Sequence, residues 1–360
     1  MLIAHAVGSA DVEDTTLGVE RNVAYLAAAQ RRRGHEVSIL MNAPGAFRDA
    51  CAELGMPVVV APELQLAGDS LASPDEPTMA RLTARFKELG PDLIHCHSLG
   101  VALNAIPAGN RLGIPCVFDC EMLAIVTAAQ RIGMQFATIS CCRQSFEEIT
   151  KGGVEEAYFV PTGTPTVTVA GPRQPGGANL IFVGSIQVRK GLDVALAAMG
   201  ELRRRRGGHC PVLNIYGSGA EESYLKEVAA LSGLEDVVKF RGFESGVLER
   251  CAGSDILLLP SRMEHAPLVV LEAMSRGMPV VATDVGDVAE MIPDQRFGRI
   301  VAAGAVRALA DAIESMLADI EGERFDPRQP VERHRAHYST DVLAENTWAV
   351  YEQVLQSSPR

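Results

Sequence analysis

No uninterrupted apolar run in the chain approaches the ~18 residues that a membrane-spanning helix requires; Met56–Pro62 is among the longest. A transmembrane segment is therefore not expected. The N-terminus has no cationic stretch ahead of Leu2–Val7, so that segment reads as a strand rather than a secretory leader. Net positive charge is missing as well. Across 360 residues, 33 Lys plus Arg face 45 Asp plus Glu, a formal charge of −12. That sign argues against a dedicated nucleic-acid binder, which must meet phosphates with cations. No CxxC pair occurs among the eight cysteines (51, 96, 116, 120, 141, 142, 210, 251), and in a chain of this length they read as reduced, mostly buried thiols. His95, Cys96 and His97 invite a metal reading, but in a strand Cys96 points away from its neighbours, and no nearby CxxC or HxxxH completes a site. They are read as core or cleft-wall side chains, and a cytoplasmic chain without a metal centre is the expectation.

What is present is a full core. Apolar residues make up 47% of the chain and charged residues 22%, and the length favours two domains. Short apolar β-rich runs at 2–7, 36–41, 57–61, 92–96, 115–118, 136–139 and 156–160 form one series of strands. A second series lies at 179–183, 212–216, 237–240, 255–259 and 279–283. Helix-period stripes fall between them: Val19, Val23 and Leu26; Leu192, Leu196 and Met199; and Val306, Leu309, Ile313, Met316 and Ile320. Strand–helix alternation of this kind predicts parallel sheets covered on both faces, used twice. The Pro- and Gly-dense stretch from Pro161 to Gly177 marks the boundary. The expectation is an α/β protein of two doubly wound domains, 1–165 and 166–338, facing across a ligand cleft. A last amphipathic segment, 339–360, carries Leu343, Thr347, Val350 and Val354 on one face and is expected to cross back to the first domain.

The most informative stretch runs from Leu257 to Thr283, a buried strand followed by a polar loop and a helix. Pro267 suits the first helical turn, where its missing N–H would be an orphan donor anyway. The amides of Leu268 and Val269 are then free, at the positive end of the helix dipole, to meet an anion. Glu264 precedes that turn and Glu272 lies about one and a half turns into the helix. Two carboxylates flanking an anion site make poor phosphate ligands and good acceptors for sugar hydroxyls. The spacing alone equally fits a helix-capping Glu plus a solvated one.

The pair Glu264 and Glu272, separated by seven residues and followed by Ala-Met-Ser-Arg-Gly-Met-Pro-Val-Val-Ala-Thr283, resembles the signature of glycosyltransferase family 4, retaining enzymes of GT-B architecture. The resemblance covers nearly the whole chain. Arg31 to Val37, Pro91 to His97, Phe182 to Ile186, Lys190–Gly191, Tyr216 to Gly219, Phe240 to Gly242, Gly286 with Glu290, and the closing stretch Tyr338 to Tyr351 follow in the family's order. The resemblance implies a transferase that takes a UDP- or GDP-sugar. Lys190 would hold the donor diphosphate, as a compact cation countering charge that grows while the glycosidic bond breaks. Glu264 would accept from the donor sugar and Glu272 from the ribose. The turn amides at Leu268 and Val269 would complete the diphosphate cradle, and His265, Ala266 and Pro267 just ahead of them would belong to the donor-binding loop. Gly18 in the first loop and Gly184 would let backbone approach the phosphates, and Arg241 lies in the stretch that reads the base. No cofactor is implied, because Lys190 and a helix terminus do the work of a divalent cation. Asp11 and Glu13 are the nearest thing to a metal-binding pair and read as a solvated loop.

Three departures from the family pattern bear on substrate. Ser185 stands where members carry Arg, with Arg189 as the candidate replacement. Glu121 stands where members place a His, so an acidic group joins His97 on the acceptor side, or else simply precedes the next helix. Only fifteen residues separate Glu121 from the strand at Ala137–Ser140, a shortened acceptor-side wall. With no basic amphipathic helix to dock on lipid, these points favour a small soluble acceptor, and the Ala-, Arg- and Gly-rich composition suits natural-product biosynthesis. The alternatives are a non-catalytic nucleotide-sugar-binding homologue and a nucleotide-sugar epimerase of the same architecture.

Overall fold

The computed structural model of the chain describes residues 1–8, 17–43, 47–48, 51, 55–64, 76–167, 178–208, 210–251 and 255–357. It divides into two compact units, Met1–Gly163 together with Thr340–Arg360, and Thr164–Ser339. The Gly171–Gly177 part of the expected linker and the Asp11–Glu13 loop lie outside the described residues.

In the first unit the chain forms β1 (Leu2–Val7), α1 (Leu17–Arg32), β2 (Glu36–Met41), β3 (Val58–Val60), α2 (Glu76–Leu89), β4 (Leu93–Cys96), α3 (Leu99–Arg111), β5 (Cys116–Asp119), α4 (Leu123–Arg131), β6 (Ala137–Ser140), α5 (Arg143–Lys151) and β7 (Ala157–Phe159). The strands pair in parallel in the order β3-β2-β1-β4-β5-β6-β7. Strands such as Leu93–Cys96 are buried along their whole length, because helices cover both faces of the sheet.

The second unit contains β8 (Leu180–Val183), α6 (Leu192–Arg205), β9 (Leu213–Tyr216), α7 (Glu222–Leu231), β10 (Val238–Gly242), α8 (Val247–Arg250), β11 (Ile256–Leu259), α9 (Leu268–Ser275), β12 (Val280–Thr283), α10 (Val288–Met291), β13 (Gly298–Val301), α11 (Val306–Glu321) and α12 (Arg328–His337). Its sheet is again parallel, in the order β10-β9-β8-β11-β12-β13. The stripe Leu309, Ile313, Met316 and Ile320 of α11 packs with Leu192, Leu196 and Met199 of α6 in one core.

Most strands fall where the apolar runs place them. β13 does not: Gly298-Arg-Ile-Val301 offers two apolar residues, and it sits at the sheet edge, paired to β12 alone and only partly buried. In α1, Val23 and Leu26 are buried, whereas Val19 in the first turn is exposed.

The last helix, α13 (Thr340–Ser357), belongs to the first unit. Its Leu343, Tyr351 and Val354 join Ile3, Leu93 and Val117 in a core cluster. The fully buried Tyr351 hydroxyl lies 2.7 Å from His95 Nδ1 and accepts from Gln30 Nε2 at 3.3 Å. Tyr351→Phe leaves both groups short of a partner and is expected to cost about 1–2 kcal/mol, read as a lower urea midpoint at unchanged m.

Candidate functional site

The chemistry in the second unit gathers at the carboxyl ends of β8, β9 and β11. β8 leads into Gly184 and Ser185, then a single 3₁₀ turn at Val188–Lys190. Gly184 N–H donates to the Tyr216 carbonyl at 3.0 Å and Ile186 N–H to the Ser218 carbonyl at 2.8 Å, tying this loop to the one after β9. The turn closes on Gly191 in the left-handed region, φ 66°; a Cβ there would lie 2.1 Å from the Pro260 carbonyl oxygen. Only glycine permits both the conformation and the contact, and the result sets Lys190 against the loop after β11. Two further ties hold the loops together. Arg262 N–H donates to the Arg189 carbonyl at 2.7 Å, and the Arg262 guanidinium grips Asp193 in the first turn of α6 at 2.7 and 2.6 Å.

Lys190 and Glu264, 74 residues apart in sequence, meet there. Lys190 Nζ donates to Glu264 Oε1 at 2.6 Å, and the buried Ser261 hydroxyl donates to the same oxygen at 2.8 Å. Their side chains are 15% and 9% exposed. Glu264 Oε2 lies 3.7 Å from the Arg189 guanidinium, beyond hydrogen-bond reach. A second glycine, Gly286 (φ 53°), runs beneath the Glu264–His265 backbone, where a Cβ would come within 2.1 Å of the His265 carbonyl oxygen; Asp287 N–H donates to that oxygen at 2.8 Å.

Pro267 is buried and extended (φ −69°, ψ 108°), so it caps α9 instead of occupying the first turn expected of it. Its ψ lies outside the helical range, and the helix begins at Leu268. Leu268 and Val269 thus supply first-turn amides, which have no acceptor within the helix. Glu272 is buried in α9, which removes the reading of it as a solvated helix residue. Ala266 is half-buried and His265 exposed in the loop between. Arg241 is exposed, its Nε donating to Asn214 Oδ1 at 2.9 Å. Gly184 comes against Lys190, whose Cε would lie 3.9 Å from a Cβ. Gly18 lies inside α1 rather than in the loop before it, exposed, with none of the described residues within 4 Å of where a Cβ would stand. Ser261, Gly286 as a support for the loop, and the Arg262–Asp193 clamp are not evident from the sequence alone. The Pro-Ser dipeptide directly after β11 was the available signal for the first.

The first unit holds a different constellation. Parallel register sets His5 of β1 beside His95 of β4, with Asp119 ending β5 next to them. His95 Nε2 and His97 Nδ1 lie 2.6 Å from the two Asp119 oxygens, and His5 Nδ1 is 2.8 Å from His97 Nε2. His5 Nε2 meets Gln30 Oε1 at 2.8 Å. The three imidazoles bring ligand-type nitrogens within 4.8 Å of one another. The His5 and His97 ring centroids are 5.1 Å apart, their N···N distance plus one ring radius on each side. The two nitrogens therefore face each other along one line, the geometry of a shared proton rather than of two lone pairs converging on an ion. Glu121 is tied into the fold, accepting from Ser140 Oγ at 2.6 Å and from Cys141 N–H at 2.7 Å.

Burial holds His5 well below the usual imidazole range and His97 down to about 4. Burial pushes the Asp119 carboxyl up, but the charges and hydrogen bonds of His95 and His97 overcome it and leave the group well below the usual carboxylate range. Below the ordinary imidazole value of 6.5 the unfolded chain binds protons that the folded rings refuse, so stability is full above that pH and lost as pH falls toward 4. His97 alone is expected to remove about 2 kcal/mol between pH 7 and pH 4.5, measured as urea midpoints at those two pH values.

Residues 177–319 match the family of group 1 glycosyl transferases, and residues 18–157 match the glycosyl transferase 4-like domain. The Mycobacterium tuberculosis glycogen synthase is 26% identical over 93% of this chain and 90% of its own. D-inositol 3-phosphate glycosyltransferase 2 of Catenulispora acidiphila is 33% identical over 74% of this chain and 66% of its own. The crystal structure of Anabaena HepE in complex with UDP-glucose superposes with a TM-score of 0.76, at 18% identity, over 99% of this chain and all of the other.

Proposed function

Because the chain belongs to the family 4-like glycosyltransferases of GT-B architecture and uses a nucleotide sugar, we propose that it moves a sugar, with retention of configuration, from a UDP- or GDP-sugar to a small soluble acceptor. The second unit takes the donor and the first the acceptor, in a reaction suited to natural-product biosynthesis. The observation that carries this reading is the Lys190–Glu264 contact four residues ahead of α9. An ammonium has three N–H donors. Lys190 gives one to Glu264 and keeps the others for the diphosphate, whose charge grows as the glycosidic bond breaks. The Leu268 and Val269 amides add donors at the positive helix end. These groups neutralise the leaving diphosphate without a metal. Glu264 Oε2, the oxygen that Lys190 and Ser261 leave to a ligand, accepts from a donor-sugar hydroxyl, and Glu272 from the ribose.

A dedicated carboxylate nucleophile is unnecessary in this scheme, because the leaving phosphate takes the acceptor's proton on the same face of the sugar, unlike the course in retaining glycosidases. The test is to incubate the protein with UDP- and GDP-sugars and small polyhydroxylated acceptors, follow nucleotide release, and assign the product anomer by NMR. Release coupled to a product of retained configuration supports the reading; an inverted product refutes it.

A further inference from the structure

In the first unit, the strand order β3-β2-β1-β4-β5-β6-β7 reverses direction between β1 and β4. Ligands of open parallel sheets bind at the carboxyl edge beside such a reversal. His5, His95, His97 and Asp119 cluster on these neighbouring strands. His97, expected on the acceptor side, is buried with both ring nitrogens engaged, one by His5 and one by Asp119, so it has no ring atom left for a ligand. Asp119 differs. Its side chain is 27% exposed, against 1% for each of the two imidazoles bound to it. Each of its oxygens accepts one imidazole N–H, and a carboxylate oxygen has two lone pairs. The network thus ends in an anion held from behind by two rigid donors, with acceptor capacity left over.

We propose that Asp119 is the acceptor-binding group of the first unit, taking hydroxyl or ammonium hydrogens of a small polar acceptor, with His95 and His97 as the positioning residues that fix its carboxylate. Charge-assisted hydrogen bonds of this kind are the strong ones, and fixing the carboxylate beforehand removes the ordering cost that a free aspartate would carry. The inference rests on the glycosyl-transfer reading above.

The test measures three quantities in the wild type, Asp119→Asn, His97→Ala and His97→Asn: UDP and GDP binding by calorimetry, UDP-glucose and GDP-mannose hydrolysis without acceptor, and transfer to myo-inositol, glucose and glucosamine. Asp119→Asn is expected to lower kcat/KM for the acceptor about 10–100-fold, with nucleotide binding and hydrolysis within twofold of wild type. Glucosamine against glucose and myo-inositol tells an ammonium from a hydroxyl contact. His97→Ala should move the acid limb of kcat/KM for the acceptor to higher pH, and His97→Asn, which keeps a donor near the Nδ1 position, should restore it. Transfer by Asp119→Asn within threefold of wild type overturns the inference and leaves the donor reading standing. So does a loss of nucleotide binding in that variant, or wild-type hydrolysis with no transfer to any of the three probes. No nucleotide binding by the wild type refutes the donor reading, and this inference with it.

Discussion

Lys190→Ala is expected to lower kcat for sugar transfer by about 10²–10³-fold, the effect of removing one preorganised charge from a developing oxyanion. The ammonium is 15% exposed and fixed by Glu264 at 2.6 Å, so its charge acts in a partly desolvated setting where it counts for more than in water. Its loss also strips the Glu264 carboxylate of its closest cation, leaving the Ser261 hydroxyl at 2.8 Å and a distant Arg189. Lys190→Arg is not expected to rescue, since a planar fork does not replace a point charge in the space between Gly184 and Glu264. Steady-state kinetics at saturating acceptor check the result. Full transfer by Lys190→Ala would remove the site assignment.

Gly191→Ala is expected to abolish donor binding while the rest of the second unit stays folded. A left-handed residue with a Cβ costs about 1–2 kcal/mol from backbone sterics alone, and at φ 66° the added atom would lie 2.1 Å from the Pro260 carbonyl oxygen. That neighbour is backbone, so relief requires the 188–191 turn to lift away from the loop after β11, which separates Lys190 from Glu264. Calorimetry with UDP and GDP should show affinity falling at least about 100-fold, with a smaller drop in the urea midpoint. Gly200→Ala, in α6, is the control. A Cβ there meets none of the described residues within 4 Å and the helix continues through it, so donor binding should stay near wild type.

The contrast between these glycines shows what was legible beforehand. Strand–helix alternation and continuous apolar runs place two parallel sheets, since a strand covered on both faces leaves a run such as Leu257-Leu-Leu that no solvated element would carry. The edge strand β13 escaped because half of it needs no burial. At the donor site the carboxylates and Lys190 were readable as residues, but their contact was not, because sequence order says nothing of a bond across 74 residues. Glu272 resolved against solvation once α9 was seen packed. In the first unit the histidines have no partner among their neighbours in sequence that reveals the cluster. The ligand-rich partner, His5, arrives from β1 through parallel register, which no local spacing records. His97 consequently turned out to be enclosed, and Asp119, never singled out from the sequence, became its outward-facing end.

A crystal structure of the protein with UDP or GDP bound is the most direct measurement of the central assignment. It should show the diphosphate within hydrogen-bond distance of Lys190 Nζ and of the Leu268 and Val269 amides, with Glu272 at the ribose. A diphosphate bound in the second unit but away from both Lys190 and the start of α9 would contradict it.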